Sequence, residues 1–153
     1  MTGEDAEERY ERRSRIARAF IEALPQAREL GMRLEEVGDG MAAVAMDYDA
    51  RLVGDPDTGV IHGGAVFSLM DTCCGAAVIS LPSTPIGTST LDLRLDYMRP
   101  ATPGQRIRAR AECYHVTRSV AFVRAVATDI DEARPVAMAT GAFTLDPSRE
   151  GKA

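Results

Sequence analysis

Apolar and polar positions in the first part of the chain follow a helical spacing. From Glu4 to Leu24 the sequence is charged and helix-favouring, with one narrow apolar stripe along it. The stripe consists of Ile16, Phe20, Ile21 and Leu24. Pro25 is expected to end this helix, and a short turn over Gln26 to Leu30 leads to Gly31, a position typical of a C-cap glycine.

The segments that follow alternate in the manner of β-strands. Met32 to Val37 and Met41 to Tyr48 are predicted to be two strands, joined by a Gly-Asp-Gly hairpin turn. A loop rich in Gly, Pro and Asp then runs from Asp49 to Ile61.

Four more strands are predicted in the second half of the chain, where apolar and polar side chains alternate. In the first, the apolar face consists of Leu91, Leu93, Leu95 and Tyr97, and the polar face of Asp92, Arg94 and Asp96. In the second, Ile107, Ala109, Ala111 and Cys113 oppose Arg106, Arg108, Arg110 and Glu112. The other two cover Val120 to Asp129 and Pro135 to Leu145, with a turn over Asp131 to Arg134. Because short turns separate these strands, a meandering antiparallel sheet is the simplest arrangement.

One segment, Gly63 to Ser80, is apolar on every side. Its length and its scarcity of β-branched residues favour a helix, and its lack of a polar stripe favours burial. A sheet with one apolar face needs such a cover, so the predicted fold class is α+β. Asp71 interrupts the apolar run, and no stretch of about 18 apolar residues exists, which excludes a membrane span.

The chain has 153 residues and a mass of 16.5 kDa, which is the size of one domain. Hydrophobic residues make up 45% and charged residues 27%, so collagen-like, coiled-coil and wholly disordered proteins are excluded. We divide the chain into an N-terminal helical segment (residues 1–31), one domain (residues 32–147) and a frayed C-terminal tail (residues 148–153).

The charge balance argues against nucleic acid as a partner. The 18 basic and 23 acidic residues give a formal net charge of −5, without the basic excess that binds phosphate backbones. No apolar signal-peptide region follows the N-terminus. The three cysteines lack CxxC spacing, which favours reduced thiols and a cytoplasmic location over disulfides or a metal site.

Asp71 is the only charged residue between His62 and Asp92. An ionised carboxylate in an apolar helix costs several kcal/mol unless it is paired or hydrated. Two explanations stand. The carboxylate is satisfied by hydroxyls such as those of Thr72 or Ser68, or by a polar notch in an oligomer interface; alternatively, it is a catalytic group in a dry cleft.

Two glycines, Gly63 and Gly64, open the predicted helix directly after His62. Free N–H groups at a helix start attract negative charge, and glycine lets the backbone approach a ligand closely. An oxyanion donor and a carboxylate are the two parts that acyl transfer requires. Gly63 and Asp71 lie about 12 Å apart along a helix, so one chain cannot bring both to one carbonyl. We therefore expect a two-fold dimer that joins Asp71 of one subunit with Gly63 of the other.

The sequence from His62 to Asp71, HGGAVFSLMD, resembles the signature of the hotdog-fold thioesterases, specifically the phenylacetic-acid-degradation type of acyl-CoA thioesterase. The similarity continues through TLDLRLDYMRPA, Thr90 to Ala101, and covers roughly Met32 to Leu145. The resemblance implies a curved antiparallel sheet wrapped around a long central helix, in subunits that form dimers or tetramers. It also implies hydrolysis of an acyl-CoA substrate without a metal or organic cofactor.

Carried over by position, the resemblance makes Asp71 the general base or nucleophile. The Gly63 N–H of the neighbouring subunit would then polarise the thioester carbonyl. His62 would help to shape the loop that presents this N–H, and the Thr90 hydroxyl would help to orient water.

Three further residues are candidates for substrate binding. Gly64 lies at the helix start, where the backbone can approach a ligand. Arg99 and Arg118 lie beside turns and are candidates for the CoA phosphates, with ordinary solvated surface charge as the alternative. One position departs from the family pattern: Pro56 stands where many relatives carry an Asn, and Asp55 or Asp57 is a candidate substitute.

Two other functions remain open at the level of sequence. A hotdog hydratase or dehydratase also uses a histidine and an acid, although the spacing of the two on one helix fits hydrolysis better. A non-catalytic acyl-CoA-binding module is the other alternative, because one fold can host many functions. A cysteine nucleophile is disfavoured, because Cys73 and Cys74 have no basic neighbour and are expected to be buried, inert thiols.

Overall fold

A computed structural model describes residues 3–83 and 85–146 and shows a six-stranded antiparallel sheet around one long helix. The helices are α1 (Gly3–Ala23), α2 (Pro25–Glu29) and α3 (Gly63–Ile79). The strands are β1 (Met32–Gly38), β2 (Met41–Met46), β3 (Val53–Asp55), β4 (Val60–Ile61), β5 (Thr90–Tyr97), β6 (Ile107–Val116), β7 (Val120–Thr128) and β8 (Ala137–Thr144). The predicted tail, residues 148–153, lies outside the described residues.

The N-terminal helix is confirmed, and the turn predicted after it is a short helix. Pro25 does not simply end α1 but also opens α2, because its fixed φ suits the first position of a helix. Gly31 then takes a φ of +66°, as expected of a glycine that follows a helix. Two residues of α1, Ala17 and Ile21, are buried, so the N-terminal helix packs against the rest of the chain.

The segment predicted as a loop, Asp49 to Ile61, contains more structure than its composition indicates. A 3₁₀ turn, Ala50–Leu52, leads into the small antiparallel hairpin of β3 and β4. The hydroxyl of Tyr48 donates a hydrogen bond of 2.8 Å to the carbonyl of Gly59, which has a φ of +76°. This segment is therefore held in place directly before α3.

The strand order of the large sheet is β1-β2-β6-β7-β8-β5. The predicted meander is correct from β6 to β8 but wrong for β5, which pairs with β8 at the sheet edge instead of with β6. Alternation of side chains reports which face of a strand is buried, and it carries no information about which strand lies alongside. The chain therefore crosses from the β5 edge back to β2 before β6 begins.

The sheet face under α3 combines many small side chains with a few larger ones. Its small buried members are Ala42, Ala109, Ala111, Ala121, Ala125, Ala127, Ala137, Ala139 and Gly141, and its larger ones include Val44, Met46, Ile107, Val123 and Phe143. Against them α3 places larger buried side chains, among them Val66, Leu69, Met70 and Val78. Small residues on the sheet let the helix axis approach closely, and the larger helix residues fill the space that remains.

Of the helices in the described residues, none is long and apolar enough to cross a membrane.

A β-bulge changes the face to which the first residues of β5 belong. Thr90 pairs with Phe143 and Asp92 with Ala142, so Leu91 is the extra residue between them. The predicted apolar face is therefore wrong at its first position: Leu91 is 59% exposed, while Thr90 joins the inner face that α3 covers.

The segment after β5 is anchored by a buried carboxylate that the sequence patterns did not single out. The side chain of Asp129 is fully buried and accepts two hydrogen bonds from the guanidinium of Arg99, at 2.7 and 2.8 Å. It also accepts from the N–H and hydroxyl of Thr102 and from the N–H of Asp131. The hydrogen bonds from the Arg99 guanidinium are the main cause that holds the pKa of the Asp129 carboxyl well below its ordinary value.

We expect Asp129→Asn to lower the free energy of unfolding by about 3 kcal/mol at pH 7, because the buried Arg99 charge loses its counter-ion. The folded pKa lies below the unfolded value of about 3.9, so the ionised group stabilises the fold above that pH. This stabilisation is lost as the pH falls through the folded pKa, and the two proteins should converge in acid. Urea unfolding at several pH values tests this. Asp57→Asn, at an exposed site, is the control. Equal stability of the wild type and both variants at pH 7 would contradict a stabilising role for the ion pair between Asp129 and Arg99.

Candidate active site

The start of α3 is fixed by the side chain of His62, which is the N-cap of this helix. Its Nδ1 accepts a hydrogen bond of 2.9 Å from the N–H of Gly64, so a neutral His62 carries its proton on Nε2. The His62 N–H donates to the carbonyl of Leu52, and the N–H of Ala65 donates to the carbonyl of His62. The side chain and the backbone of His62 thus both hold the start of α3 in place.

Gly63 is the exception among the first residues of α3. Its N–H has no hydrogen-bond acceptor among the residues that the structure describes, whereas those of Gly64 and Ala65 are both bonded. A helix start whose other N–H groups are satisfied presents one defined donor to a ligand. The structure therefore leaves the predicted oxyanion donor free.

Tyr97, at the end of β5, holds the same turn from the other side. Its hydroxyl donates a hydrogen bond of 2.8 Å to the carbonyl of Gly63. One peptide unit, between Gly63 and Gly64, is therefore held at its carbonyl by Tyr97 and at its N–H by His62. Partial burial raises the pKa of the Tyr97 phenol, so this group stays a neutral donor at physiological pH.

The small hairpin before α3 approaches this turn closely. A Cβ atom on Gly54 would lie 2.8 Å from the Cα atom of His62, which is closer than two carbon atoms can pack. Glycine is therefore needed at this point of β3, and the hairpin and the His62 turn support one another.

The carboxylate of Asp71 lies two turns along α3 from Gly63. It is half-buried in the single chain instead of sealed in the core, and its Oδ1 accepts a hydrogen bond of 2.7 Å from the hydroxyl of Thr90. The sequence indicated Thr72 or Ser68 as possible hydroxyl partners. The structure gives this part to Thr90, whereas the Ser68 hydroxyl accepts from Gln26.

Gly63 and Asp71 both face β5. Tyr97, at one end of this strand, contacts Gly63, and Thr90, at the other end, contacts Asp71. Eight residues of helix still separate the two groups by about 12 Å, so they cannot act on one carbonyl within a chain. Because β5 is an edge strand, both ends of the arrangement border the open edge of the sheet.

The remaining predicted residues occupy different environments. Arg99 is mostly buried, and Asp129 and two main-chain carbonyls, of Arg134 and Pro100, engage its guanidinium. This placement does not favour the predicted contact with CoA phosphate. Arg118 is exposed in the turn between β6 and β7, and Gly64 is exposed at the helix start.

Pro56 lies in the exposed turn between β3 and β4. Its neighbour Asp55 already accepts hydrogen bonds from the N–H of Asp57 and the hydroxyl of Thr58. The Asp57 side chain is exposed. Of the two flanking aspartates, Asp57 is therefore the one whose carboxylate is not engaged by this turn.

The cysteines on α3 are buried, as predicted. Burial raises the pKa of the Cys73 thiol to about 12 and that of Cys74 well above its ordinary value. Neither thiol is therefore a nucleophile at neutral pH. Among the described residues, no group of three or more His, Cys, Asp or Glu side chains is placed to hold a metal ion.

Sequence reasoning did not assign a role to Tyr97, although it lies in the segment that carries the resemblance. A tyrosine on the inner face of an edge strand has a hydroxyl that needs a partner, and this was the available signal. The identity of that partner, a carbonyl at the start of α3, depends on the packing of β5 beside the helix.

A family profile, sequence relatives and solved structures all relate this chain to thioesterases. The sequence profile described as the thioesterase superfamily matches residues 58–136. The medium/long-chain acyl-CoA thioesterase YigI of Escherichia coli is 28% identical over 143 residues, which cover 85% of this chain and 91% of YigI. A crystal structure of a Pseudomonas aeruginosa protein shares 38% identity at a TM-score of 0.78, covering 86% of this chain and 98% of that chain. A mutant of the phenylacetic acid degradation protein PaaI from Thermus thermophilus shares 29% identity at a TM-score of 0.70, covering 80% and 99%.

Proposed function

Because the chain belongs to the thioesterase superfamily, we propose that it hydrolyses acyl-CoA thioesters to a carboxylic acid and free coenzyme A. The predicted hotdog fold and the resemblance to PaaI-type proteins are confirmed, and the chain is a thioester hydrolase. The name of YigI supports acyl-CoA as the substrate. The observation that carries the proposal is the pair formed by the free N–H of Gly63 and the Thr90-bonded carboxylate of Asp71.

The proposed site forms between two subunits. The backbone groups of β5 that point away from β8 are open to pairing, and two copies related by a two-fold axis can join at this edge. Exposed apolar side chains support burial there, since Leu91, Tyr97 and Met98 are 59%, 52% and 54% exposed. The two-fold axis would place Asp71 of each copy opposite Gly63 of the other, giving two equal sites.

The chemistry follows from these two groups. The thioester carbonyl oxygen accepts a hydrogen bond from the Gly63 N–H, which stabilises the negative charge of the tetrahedral intermediate. The Thr90 hydroxyl holds Oδ1 of Asp71, so Oδ2 points at the substrate. Oδ2 either removes a proton from an attacking water or attacks the carbonyl carbon itself, and in both routes the C–S bond then breaks to release the CoA thiolate. In the second route the acyl group is left on Asp71 as a mixed anhydride, which water hydrolyses to the carboxylic acid and the free carboxylate of Asp71.

We assign substrate contacts to the exposed Gly64 at the helix start and to Arg118 for a CoA phosphate. Arg118 is supported by its exposure and by its position at the end of the sheet where β5 begins. Arg99 acts instead as the anchor of the segment after β5. A cytoplasmic location is also proposed, supported by the three free cysteines.

The proposal is tested by thiol release from a panel of acyl-CoA substrates. We expect turnover by the wild type and a fall in kcat of about a thousandfold in Asp71→Asn, because the amide can neither attack nor remove a proton. Glu22→Gln, an exposed carboxylate change on α1, should keep full activity. Hydration of an enoyl-CoA without thiol release would favour a hydratase, and tight acyl-CoA binding without turnover would favour a binding module.

Subunit complementation tests the shared site. Gly63→Pro removes the donor N–H at a helix position that accepts proline, and His62, with φ −58° and ψ 134°, already has a backbone suited to precede proline. Gly63→Ala keeps the N–H and is the matched control. Asp71→Asn and Gly63→Pro should each be inactive, but their mixed dimer retains one intact site. Random pairing should therefore restore roughly a quarter of wild-type activity, whereas a site within one chain would give no recovery.

Tyr97 is proposed to position the Gly63 turn, and Tyr97→Phe removes only its hydroxyl. We expect kcat to fall about tenfold while KM stays within about twofold, because the oxyanion donor loses its fixed orientation. Tyr114→Phe, an exposed tyrosine on β6, is the control. Oligomer mass is measured in parallel. Unchanged kcat in Tyr97→Phe, or a loss that follows dissociation of the subunits, would contradict the positioning role.

A further inference from the structure

An open cleft of about 380 Å³ lies beside the start of α3. Its walls come from three parts of the chain: α2 with the residue that follows it, residues 51–53, and the first two turns of α3. These parts are tied together, because the N–H of His62 donates to the carbonyl of Leu52 and the amide of Gln26 donates to the hydroxyl of Ser68. The fold therefore maintains the cleft, and its volume lies in the range of small-molecule sites, about 300–1,000 Å³.

The cleft opens next to the proposed oxyanion donor. His62 and Gly64, which flank Gly63 in the chain, both line it. A thioester carbonyl bound at the Gly63 N–H would therefore have the cleft directly beside it. Asp71 does not line the cleft, so the cleft can hold a part of the substrate that does not react.

The carbonyl carbon of the substrate carries two groups, the acyl chain and the CoA sulfur. The proposed CoA phosphate contact, Arg118, lies at the end of the sheet where β5 begins, which is also the end at which Thr90 contacts Asp71. In the proposed shared site this end belongs to the subunit that supplies Asp71, whereas the cleft belongs to the subunit that supplies Gly63. CoA that extends toward Arg118 leaves the cleft to the acyl group.

One part of the lining is apolar and suits the methylene groups of an acyl chain. It consists of Leu30, Leu52, Val53 and Ala65. Ala65 is buried and has a small side chain, so it leaves open space in the first turn of α3. Contact with these side chains removes methylene surface from water, which favours binding of the chain.

The other part of the lining offers hydrogen-bonding groups that the described residues leave unused. The Ser68 hydroxyl accepts from Gln26 at a long distance of 3.3 Å, but its own O–H has no acceptor there. The Oε1 atom of Gln26 accepts no hydrogen bond, and the Nε2–H of a neutral His62 has no acceptor. A hydroxyl on the acyl chain could accept from Ser68 or His62 and donate to Gln26, since a hydroxyl is both donor and acceptor.

The charge in the cleft favours a neutral polar group over a carboxylate. Arg51 is the one arginine in the lining, and its Nε and Nη2 atoms already donate to Asp49, at 2.9 and 2.7 Å. Its positive charge is therefore balanced by a carboxylate of the same segment. An acyl chain that ends in a carboxylate would meet no unpaired positive charge on Arg51.

We propose that this cleft binds the acyl group of the substrate and selects acyl chains that carry a hydroxyl group at their far end. Gln26 and Ser68 are the specificity-determining residues. The inference rests on the proposed hydrolysis of acyl-CoA and names the substrate class of that same site. An aliphatic chain would cover the polar groups of the cleft without replacing their hydrogen bonds to water, and this difference is the physical basis of the selection.

The first test compares 6-hydroxyhexanoyl-CoA with hexanoyl-CoA in the thiol-release assay. We expect kcat/KM of the wild type to be about tenfold or more higher for the hydroxylated substrate. Gln26→Leu and Ser68→Ala should each lower this ratio at least about threefold, and the double variant should bring it close to one. Turnover of hexanoyl-CoA should not fall in these variants, whereas damage to the fold would lower both activities. Ser14→Ala, at a half-buried serine of α1, is the matched control and should keep the wild-type ratio.

The second test fills the cleft. Ala65→Leu should lower kcat/KM about tenfold for both six-carbon substrates, because the larger side chain takes the space of the acyl chain. The inhibition constant of free CoA should stay within about twofold, since CoA extends away from the cleft. If free CoA instead binds tenfold more weakly to Ala65→Leu, the cleft holds the CoA arm and the proposal is overturned.

The outcomes separate this inference from the proposed function. Equal kcat/KM of the wild type for the two six-carbon substrates would overturn the selection by the cleft and leave the hydrolase activity standing. A preference that survives in the double variant would overturn the roles of Gln26 and Ser68. Absence of thiol release from every acyl-CoA would overturn the proposed function and this inference with it. The polar series decides the matter should Ala65→Leu fail to fold.

Discussion

The rest of the structure depends on the close packing of α3 against a sheet face that is rich in alanine and also carries larger buried residues such as Val44, Ile107 and Phe143. The alanine positions let α3 lie close to the sheet, and Gly63 and Asp71 of this helix both contact the edge strand β5. Tyr97 then contacts the carbonyl of Gly63, and Thr90 contacts the carboxylate of Asp71. A bulkier sheet residue beneath the helix would separate these pairs, since well-packed cores have little free volume to absorb an extra methylene.

The same packing explains why a half-buried carboxylate is tolerated. From Cys73 to Ile79, α3 is buried, but Asp71 lies at the border, where Thr90 supplies one hydrogen bond. The β-bulge at Leu91 is what turns Thr90 inward. A local irregularity in one strand thus supplies the partner of the only charged side chain on the helix.

The arginines of this protein occupy two kinds of environment: the interior of the fold and the solvent-exposed outer face of the sheet. Arg99 forms a bidentate ion pair with Asp129 inside the fold, where removing either partner would leave the other as an unpaired buried charge. The arginines of the outer sheet face instead lie in exposed rows with acidic residues, where each in-chain pair contributes little. Residue type alone does not distinguish the two situations; burial and the number of acceptors do.

The sequence by itself determined the central apolar helix, the main strands, the His62-Gly63-Gly64 helix start and the isolated Asp71, because periodicity and a lone charge are local properties. It also indicated that Gly63 and Asp71 are too far apart within one helix. Only the tertiary structure decided that β5 pairs with β8, that Thr90 faces inward and Leu91 outward, and that Tyr97 holds the carbonyl of Gly63. It also assigned Arg99 to Asp129. These features depend on which strand lies beside which and on one extra residue in a ladder, and such long-range pairings leave no periodic trace in the chain.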